Sequence, residues 1–315
     1  MRWLGLLLLG CLSLAVLSLS MGAAGHYPPW QWHNLPSAIL TDLRLPRVLA
    51  GLAAGGLLGL AGALVQVLTR NPLADPYILG ISGGAAVAAL SAMLLGAGLL
   101  LQHVSAAIGA LLVLALVLWL ARSRQVWDGS RLILTGVVLA TALGAVVTLL
   151  LSLAPDGVLR GMLFWLMGDL SRAPGGTLAL VVLLMLLPLV LFLARDLDLL
   201  TRGDVLAATL GVRVEQVRFI VFVIAGLATA IAVITVGTIG FVGLIAPHMA
   251  RLLVGLDHRR VLPASILIGA MLVVAADLIA RLIIAPQQLP AGSILALIGA
   301  PIFLYLLYRH QGRYG

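Results

Sequence analysis

Ten apolar runs, each near the length that crosses a bilayer, follow one another along this chain with only short polar segments between them. They lie near Leu4–Met21, Val48–Leu68, Ile78–Leu100, Val104–Leu120, Leu132–Leu153, Leu178–Ala194, Phe219–Val236, Phe241–Val254, Leu262–Ile284 and Ile294–Tyr308. About 20 apolar residues span the hydrocarbon core as a helix. Inside that core every backbone N–H and C=O must be bonded within the protein, which leaves only helices or a closed barrel. Continuous rather than alternating apolarity selects helices. Charged residues make up 10% of the chain, against about 25% in soluble domains. The sequence therefore predicts an all-α polytopic membrane protein of about ten transmembrane helices. Residues 1–315 would form a single transmembrane domain, with no room for a sizeable soluble one.

The arginines orient it. An even number of spans puts both termini on one side. With the termini in the cytoplasm, only Arg44, Arg47, Arg160, Arg172 and Arg281 of the 19 arginines fall outside, an N-in/C-in topology by the positive-inside rule. The net charge of +8 comes from arginines standing singly between apolar runs, not along one polar face, which argues against nucleic acid. The first run follows Arg2 and imitates a signal peptide, but it is long enough to span and is read as a retained helix. Cys11 lies within that run and has no second cysteine to pair with.

There is no lysine at all, so a Walker A motif is excluded and the chain carries no P-loop ATPase of its own. A proton- or sodium-coupled carrier needs ionisable groups near the midplane, where a charge costs about 2.5–3.5 kcal/mol. The nearest candidates, Asp277 and Arg281, stand four apart toward the outer end of one helix and read as a local ion pair with a snorkelling arginine. His248 follows Pro247 and reads as a structural hydrogen-bonding group, and the other histidines lack metal-ligand spacing. The residues predict neither a catalytic set nor a metal site.

Small residues recur at helical spacing as Gly51, Gly55 and Gly59 on the second run and Gly136, Ala140 and Gly144 on the fifth, faces that let backbones approach closely. The stretch Gly237–Gly243, and Ile245-Ala246-Pro247 after it, are poor continuous helix, and backbone freed there must be satisfied by neighbours or a wet cavity. A polar, proline-containing turn with a glycine-rich exit follows the second run: RNPLADPYILGISGG, Arg70–Gly84.

That last segment resembles the signature of the FecCD-type permeases, the membrane subunits of ABC importers for iron-siderophores, haem and cobalamin. LRLPRVLAG from Leu43, SRLILTGVVLA from Ser130, GDVLAATLGV from Gly203, GTIGFVGLIAPHMARLL from Gly237 and LPAGSILALIGAPIFLYLL from Leu289 also resemble it, in the family's order and across nearly the whole chain. The resemblance implies a type II ABC importer permease fold in the bacterial inner membrane. It also implies a second copy of the chain, two ATP-binding subunits that hold the ATP and Mg, a periplasmic substrate-binding protein, and no cofactor on the chain itself. Coupling helices to the ATPase fall within 196–216, with Gly203, Asp204, Ala207, Ala208, Leu210 and Gly211 in the matching stretch. Arg44, Arg47 and Arg281 fall where relatives dock the binding protein. Asn71, Leu73, Gly129 and Ser130 fall at the cytoplasmic gate, where Gly129 lacks the side chain some relatives have. Met162, Trp165 and Met167 fall at the outer vestibule. The implied activity is import of an iron chelate, a siderophore or haem; cobalamin import is the alternative within the family, and a stand-alone secondary transporter the alternative outside it.

Overall fold

A computed structural model describes residues 2–22, 25–34, 36–121, 129–171 and 175–310. The helices, in chain order, are α1 (Arg2–Ser20), α2 (Leu45–Thr69), α3 (Ile81–Leu94), α4 (Leu99–Ala121), α5 (Gly129–Ser152), α6 (Asp156–Leu166), α7 (Gly176–Phe192), α8 (Ala194–Thr201), α9 (Asp204–Thr209), α10 (Val214–Val236), α11 (Val242–Val254), α12 (His258–Leu282) and α13 (Ala291–His310). A two-residue hairpin pairs Met21–Gly22 with Gly25–His26. Each apolar run is a helix. Among the described residues, six helices are long and apolar enough to cross a membrane alone, and α7 with α8, bent by 61° at their junction, forms a further candidate. The remaining runs are the shorter apolar helices α3, α11 and α13.

Helix α2 is the axis of the bundle, with α12, α10, α7 and α11 packed around it. Its glycines make this possible: a methyl on Gly55 would collide with the Gly269 carbonyl of α12, and one on Gly62 with the Gly243 carbonyl of α11. Close backbone approach of this kind is how helices associate where no water drives them together. At the other extreme, only 6% of the apolar window of α5 is buried, against 89% for the segment containing α2. Gly144 on α5 has open space at its Cβ position, whereas Gly136 sits directly on the carbonyl of Ile78. Exposed leucines and valines on α1, α4, α5, α7 and α13 form the apolar perimeter, which suits lipid or a neighbouring subunit.

Helices α4 and α10 begin five residues before the runs expected from Val104 and Phe219, and the largest departure is at α3. The run expected from Ile78 to Leu100 is helical only from Ile81 to Leu94, because Gly96 takes a left-handed φ of 72° and ends it. At its start, the segment after α2 folds back along that helix. Gln66 of α2 donates to the carbonyls of Ala74 (3.3 Å) and Gly243 (3.4 Å), and Gly243 is wedged between Pro76 and the carbonyl of Leu58. Pro76 is thus level with the interior of α2, and Pro76–Leu79 forms one 3-10 turn. Such non-helical backbone at depth is tolerated when buried in protein.

Ile245-Ala246-Pro247 proves to be continuous helix within α11; the break is confined to Gly237–Phe241. There Gly237 and Phe241 have φ of 74° and 69°. The freed amides are satisfied by neighbours, as the sequence requires. Ile239 N–H donates to Tyr77 Oη at 2.8 Å, and Thr238 N–H and hydroxyl donate to the carbonyls of Trp165 and Leu166.

Candidate translocation and coupling sites

The bundle has two chemically distinct ends. At one, the chain turns through α8 and α9. Helix α8 buries Ala194, Leu197 and Leu200 against the bundle. Gly203, at φ 119°, lets the chain reverse into α9, and Gly211, at φ 86°, lets it leave again. Of α9 only Ala207 is buried, while Val205 is 81%, Leu206 44% and Leu210 52% exposed. Ala208 and Gly211 are also on the surface. The expected coupling residues therefore lie in one short segment with an outward apolar ridge. The segment is moored by charge: Asp198 accepts from the backbone N–H of His258 (3.1 Å) and lies 2.5 Å from its Nδ1. Asp204 Oδ1 pairs with Arg70 at the end of α2 and with Arg218 Nη2 of α10 (2.9 Å). A cleft of about 530 Å³ opens beside it, lined by Arg70, Arg202, Arg251, Asp198 and His258.

Arg70 begins the turn that holds two of the expected gate residues. It caps α2 in the left-handed conformation, with φ 48°. Asn71 Oδ1 accepts the Leu73 N–H (2.9 Å), and Asp75 accepts that of Tyr77 (2.8 Å), so short polar side chains close the turn on itself. Asn71 and Leu73 are exposed. Gly129 and Ser130 open α5, and their side chains lie outside the described residues. Helix α5 does meet the folded-back segment, at Gly136 and Ile78.

At the opposite end, α6 lies near the Gly237–Phe241 break. The three expected vestibule residues separate here. Met162 is fully buried and belongs to the core, a correction that follows from its place on the inward face of α6. Trp165 lines a cavity of about 610 Å³ together with Gln102, His103, Arg160, Phe164 and Asp169. Met167 is 39% exposed and is not among its lining residues. The sequence reading missed Arg160 as a lining residue, although the i, i+4 spacing to Phe164 carries the signal; its guanidinium sits 5.8 Å from that ring.

The arginines expected to dock a partner are gathered at this same end, but inward. Arg44, Arg47 and Arg281 are 4%, 9% and 4% exposed. Arg47 Nη2 is 2.7 Å from Asp277 Oδ1, and Arg281 Nε is 3.1 Å from Asp277 Oδ2. Arg47 also donates to Gln288 Oε1 (2.8 Å), Arg44 to the carbonyls of Leu19 and Gly25, and Arg281 to Ser18 Oγ (2.5 Å). The Asp277–Arg281 pair expected four apart is present, but neither group snorkels. Direct outward contact by these side chains needs correction for the same reason: each guanidinium is spent on tying α1, α2 and α12 together.

A bundle with an axial glycine-lined helix, a lipid-like perimeter, a moored polar segment at one end and a cavity at the other has the architecture of a multi-pass membrane protein. Comparison with known proteins gives the family. The FecCD transport family profile matches residues 5–309, and the chain belongs to that family. It is 40% identical over 313 residues to the Fe(3+) dicitrate transport system permease protein FecD of Escherichia coli, covering 96% of each. It is 38% identical over 319 residues to the vitamin B12 import system permease protein BtuC of Klebsiella pneumoniae, covering 99% of this chain and 95% of that one. A solved structure described as an inward-facing metal-chelate type ABC transporter superposes with a TM-score of 0.86 at 32% identity, covering 98% of both chains. The chain is therefore an inner-membrane permease subunit of an ABC importer, a class of subunit that is not itself an enzyme.

Proposed function

We propose that this permease carries an iron chelate from periplasm to cytoplasm, working as two copies with two ATP-binding subunits and a periplasmic binding protein. The observation that carries the choice of cargo is the 40% identity over 96% of both chains to a ferric dicitrate permease. The B12 relative at 38% keeps cobalamin as the competing cargo, and haem stays within the iron-chelate class. In this reading the termini and the α8–α9 end face the cytoplasm, and α6 faces outward. The exposed ridge Val205, Leu206 and Leu210 is the apolar face a docked ATPase subunit covers. That subunit binds the ATP and Mg, consistent with a lysine-free chain.

The binding protein docks at the α6 end. Arg44, Arg47 and Arg281 act there through their field: three guanidinium charges against the single carboxylate of Asp277 leave that end positive, which steers an acidic partner. Proteoliposomes holding the chain, its ATPase and its binding protein, offered ferric citrate, a ferric siderophore, haem and cobalamin side by side, test the cargo. Uptake of an iron chelate is expected. Uptake of cobalamin alone would overturn the iron assignment and leave the importer standing.

A further inference from the structure

We infer that Asp204 is a positioning residue that transmits movement of the α8–α9 segment to the Arg70–Leu73 turn, so that the ion pair Asp204–Arg70 is a tether between the coupling segment and the cytoplasmic end of the path. This rests on the reading that an ATP-binding subunit grips α9. One carboxylate oxygen of Asp204 holds two guanidinia, from segments 134 and 14 residues away in sequence. The two arginines differ in freedom. Arg218 belongs to α10 and its side chain is 9% exposed, whereas the Arg70 side chain is 41% exposed at the very end of α2. Asp204 itself is 41% exposed. Ion pairs exposed to that extent add little to stability, so this one is better understood as a link than as a rivet.

What Arg70 is attached to gives the link its purpose. Asn71 N–H bonds to the Gln66 carbonyl (3.2 Å), Ala74 N–H to the Asn71 carbonyl (3.1 Å), and Leu73 N–H to Asn71 Oδ1 (2.9 Å). Residues 70–74 are therefore a closed turn that responds as a unit when its first side chain is pulled. The other end of the segment is held elsewhere, by Asp198 on His258 at the start of α12. With one mooring on α12 and one on the turn after α2, a push on the apolar ridge of α9 pivots the segment about the first and moves the second. The flexible point already exists at Gly203, whose φ of 119° lies between the two moorings.

The test uses the reconstituted full complex. Cys11, the chain's one cysteine, is replaced by serine, and Leu73→Cys supplies a thiol for a maleimide presented from the cytoplasmic side. In the otherwise unmodified chain, labelling at that position should change when the ATPase subunits are trapped with nucleotide. Arg70→Gln leaves the Asp204–Arg218 pair intact, so the coupling segment keeps its fold and its ATPase partner. It should nonetheless abolish the nucleotide dependence of labelling and lower substrate moved per ATP hydrolysed by about fivefold or more, the lower bound of typical coupling between linked sites. Asp204→Asn should behave the same way and Asp204→Glu should restore it, a pattern that a purely structural role does not produce. Nucleotide-dependent labelling that survives both Arg70→Gln and Asp204→Asn overturns the tether. If the unmodified chain binds no ATPase subunit, the underlying functional reading falls, and the tether with it.

Discussion

Replacing Asp277 with asparagine removes the one carboxylate from a buried group of three arginines, and its cost follows from the geometry. Asp277 is 1% exposed. Its Oδ1 takes Arg47 Nε at 2.8 Å and Nη2 at 2.7 Å, and its Oδ2 takes Arg281 Nε at 3.1 Å. Losing one partner of a buried pair costs about 3–5 kcal/mol, because a charge is left in low dielectric without compensation. Here two guanidinia lose the same partner while Arg44 stays close by, so Asp277→Asn should fall at the upper end of that range. A destabilisation of that size is about a thousandfold or more in the folded-to-unfolded ratio. Unfolding in mixed detergent micelles, followed by circular dichroism, measures it. The pairing also predicts non-additivity: Arg47→Gln should cost at least about 1 kcal/mol less on the Asp277→Asn background than alone. A loss below about 1 kcal/mol for Asp277→Asn, or additive single and double variants, would refute the claim that this carboxylate neutralises the cluster.

Other substitutions probe other levels of the structure. Gly62→Leu, driven into the Gly243 carbonyl, should prevent α2 from seating against α11 and abolish monodisperse protein on size exclusion, well beyond the usual 1–3 kcal/mol or so of overpacking. Gly144 is exposed and a Cβ there meets nothing within 4 Å among the described residues, so Gly144→Leu should fold normally; if the proposed pairing of two copies runs through α5, light scattering should show the pair lost, and an unchanged mass would remove α5 from that seam. Tyr77→Phe leaves the buried Ile239 N–H without its acceptor and should destabilise by about 1–3 kcal/mol in the same micelle assay, whereas a neutral result would mean that water replaces the hydroxyl. Gly211→Trp forces a side chain onto a left-handed residue at φ 86°, a conformation costing about 1–2 kcal/mol. It should leave the transmembrane bundle intact yet uncouple ATP hydrolysis from uptake, and normal coupling would contradict the placement of that turn at the ATPase.

The helices were legible because a bilayer enforces a simple rule: a long apolar run has no other way to satisfy its backbone. The ten runs therefore reappear as helices, with ends shifted by up to six residues. The sequence missed features fixed by long-range packing. The stretch Arg70–Gly80 reads as a surface turn until Gln66, Gly243 and Gly136 are seen to hold it along α2. Arg44 and Arg47 read as interfacial charges because the acid that buries Arg47 is 230 residues away. Only the short-range part of that cluster, Asp277 with Arg281 one turn later, was visible in the spacing. Likewise Met162, Trp165 and Met167 share a segment in sequence, but α6 turns Met162 to the core and Trp165 to the cavity, and Met167 at its end is on the surface. The stretch 203–211 was legible as one segment because its residues are contiguous, bounded by two glycines whose positive φ the turn requires.

The most direct measurement of the central claim is uptake of the proposed chelate by proteoliposomes that contain the permease and the proposed binding protein, with the ATP-binding subunit either present or left out. Transport should appear only when that subunit and hydrolysable ATP are both supplied, and should cease when a non-hydrolysable analogue replaces ATP. Uptake sustained by the permease alone, driven by an ion gradient and indifferent to ATP, would contradict the account and make the chain a secondary carrier.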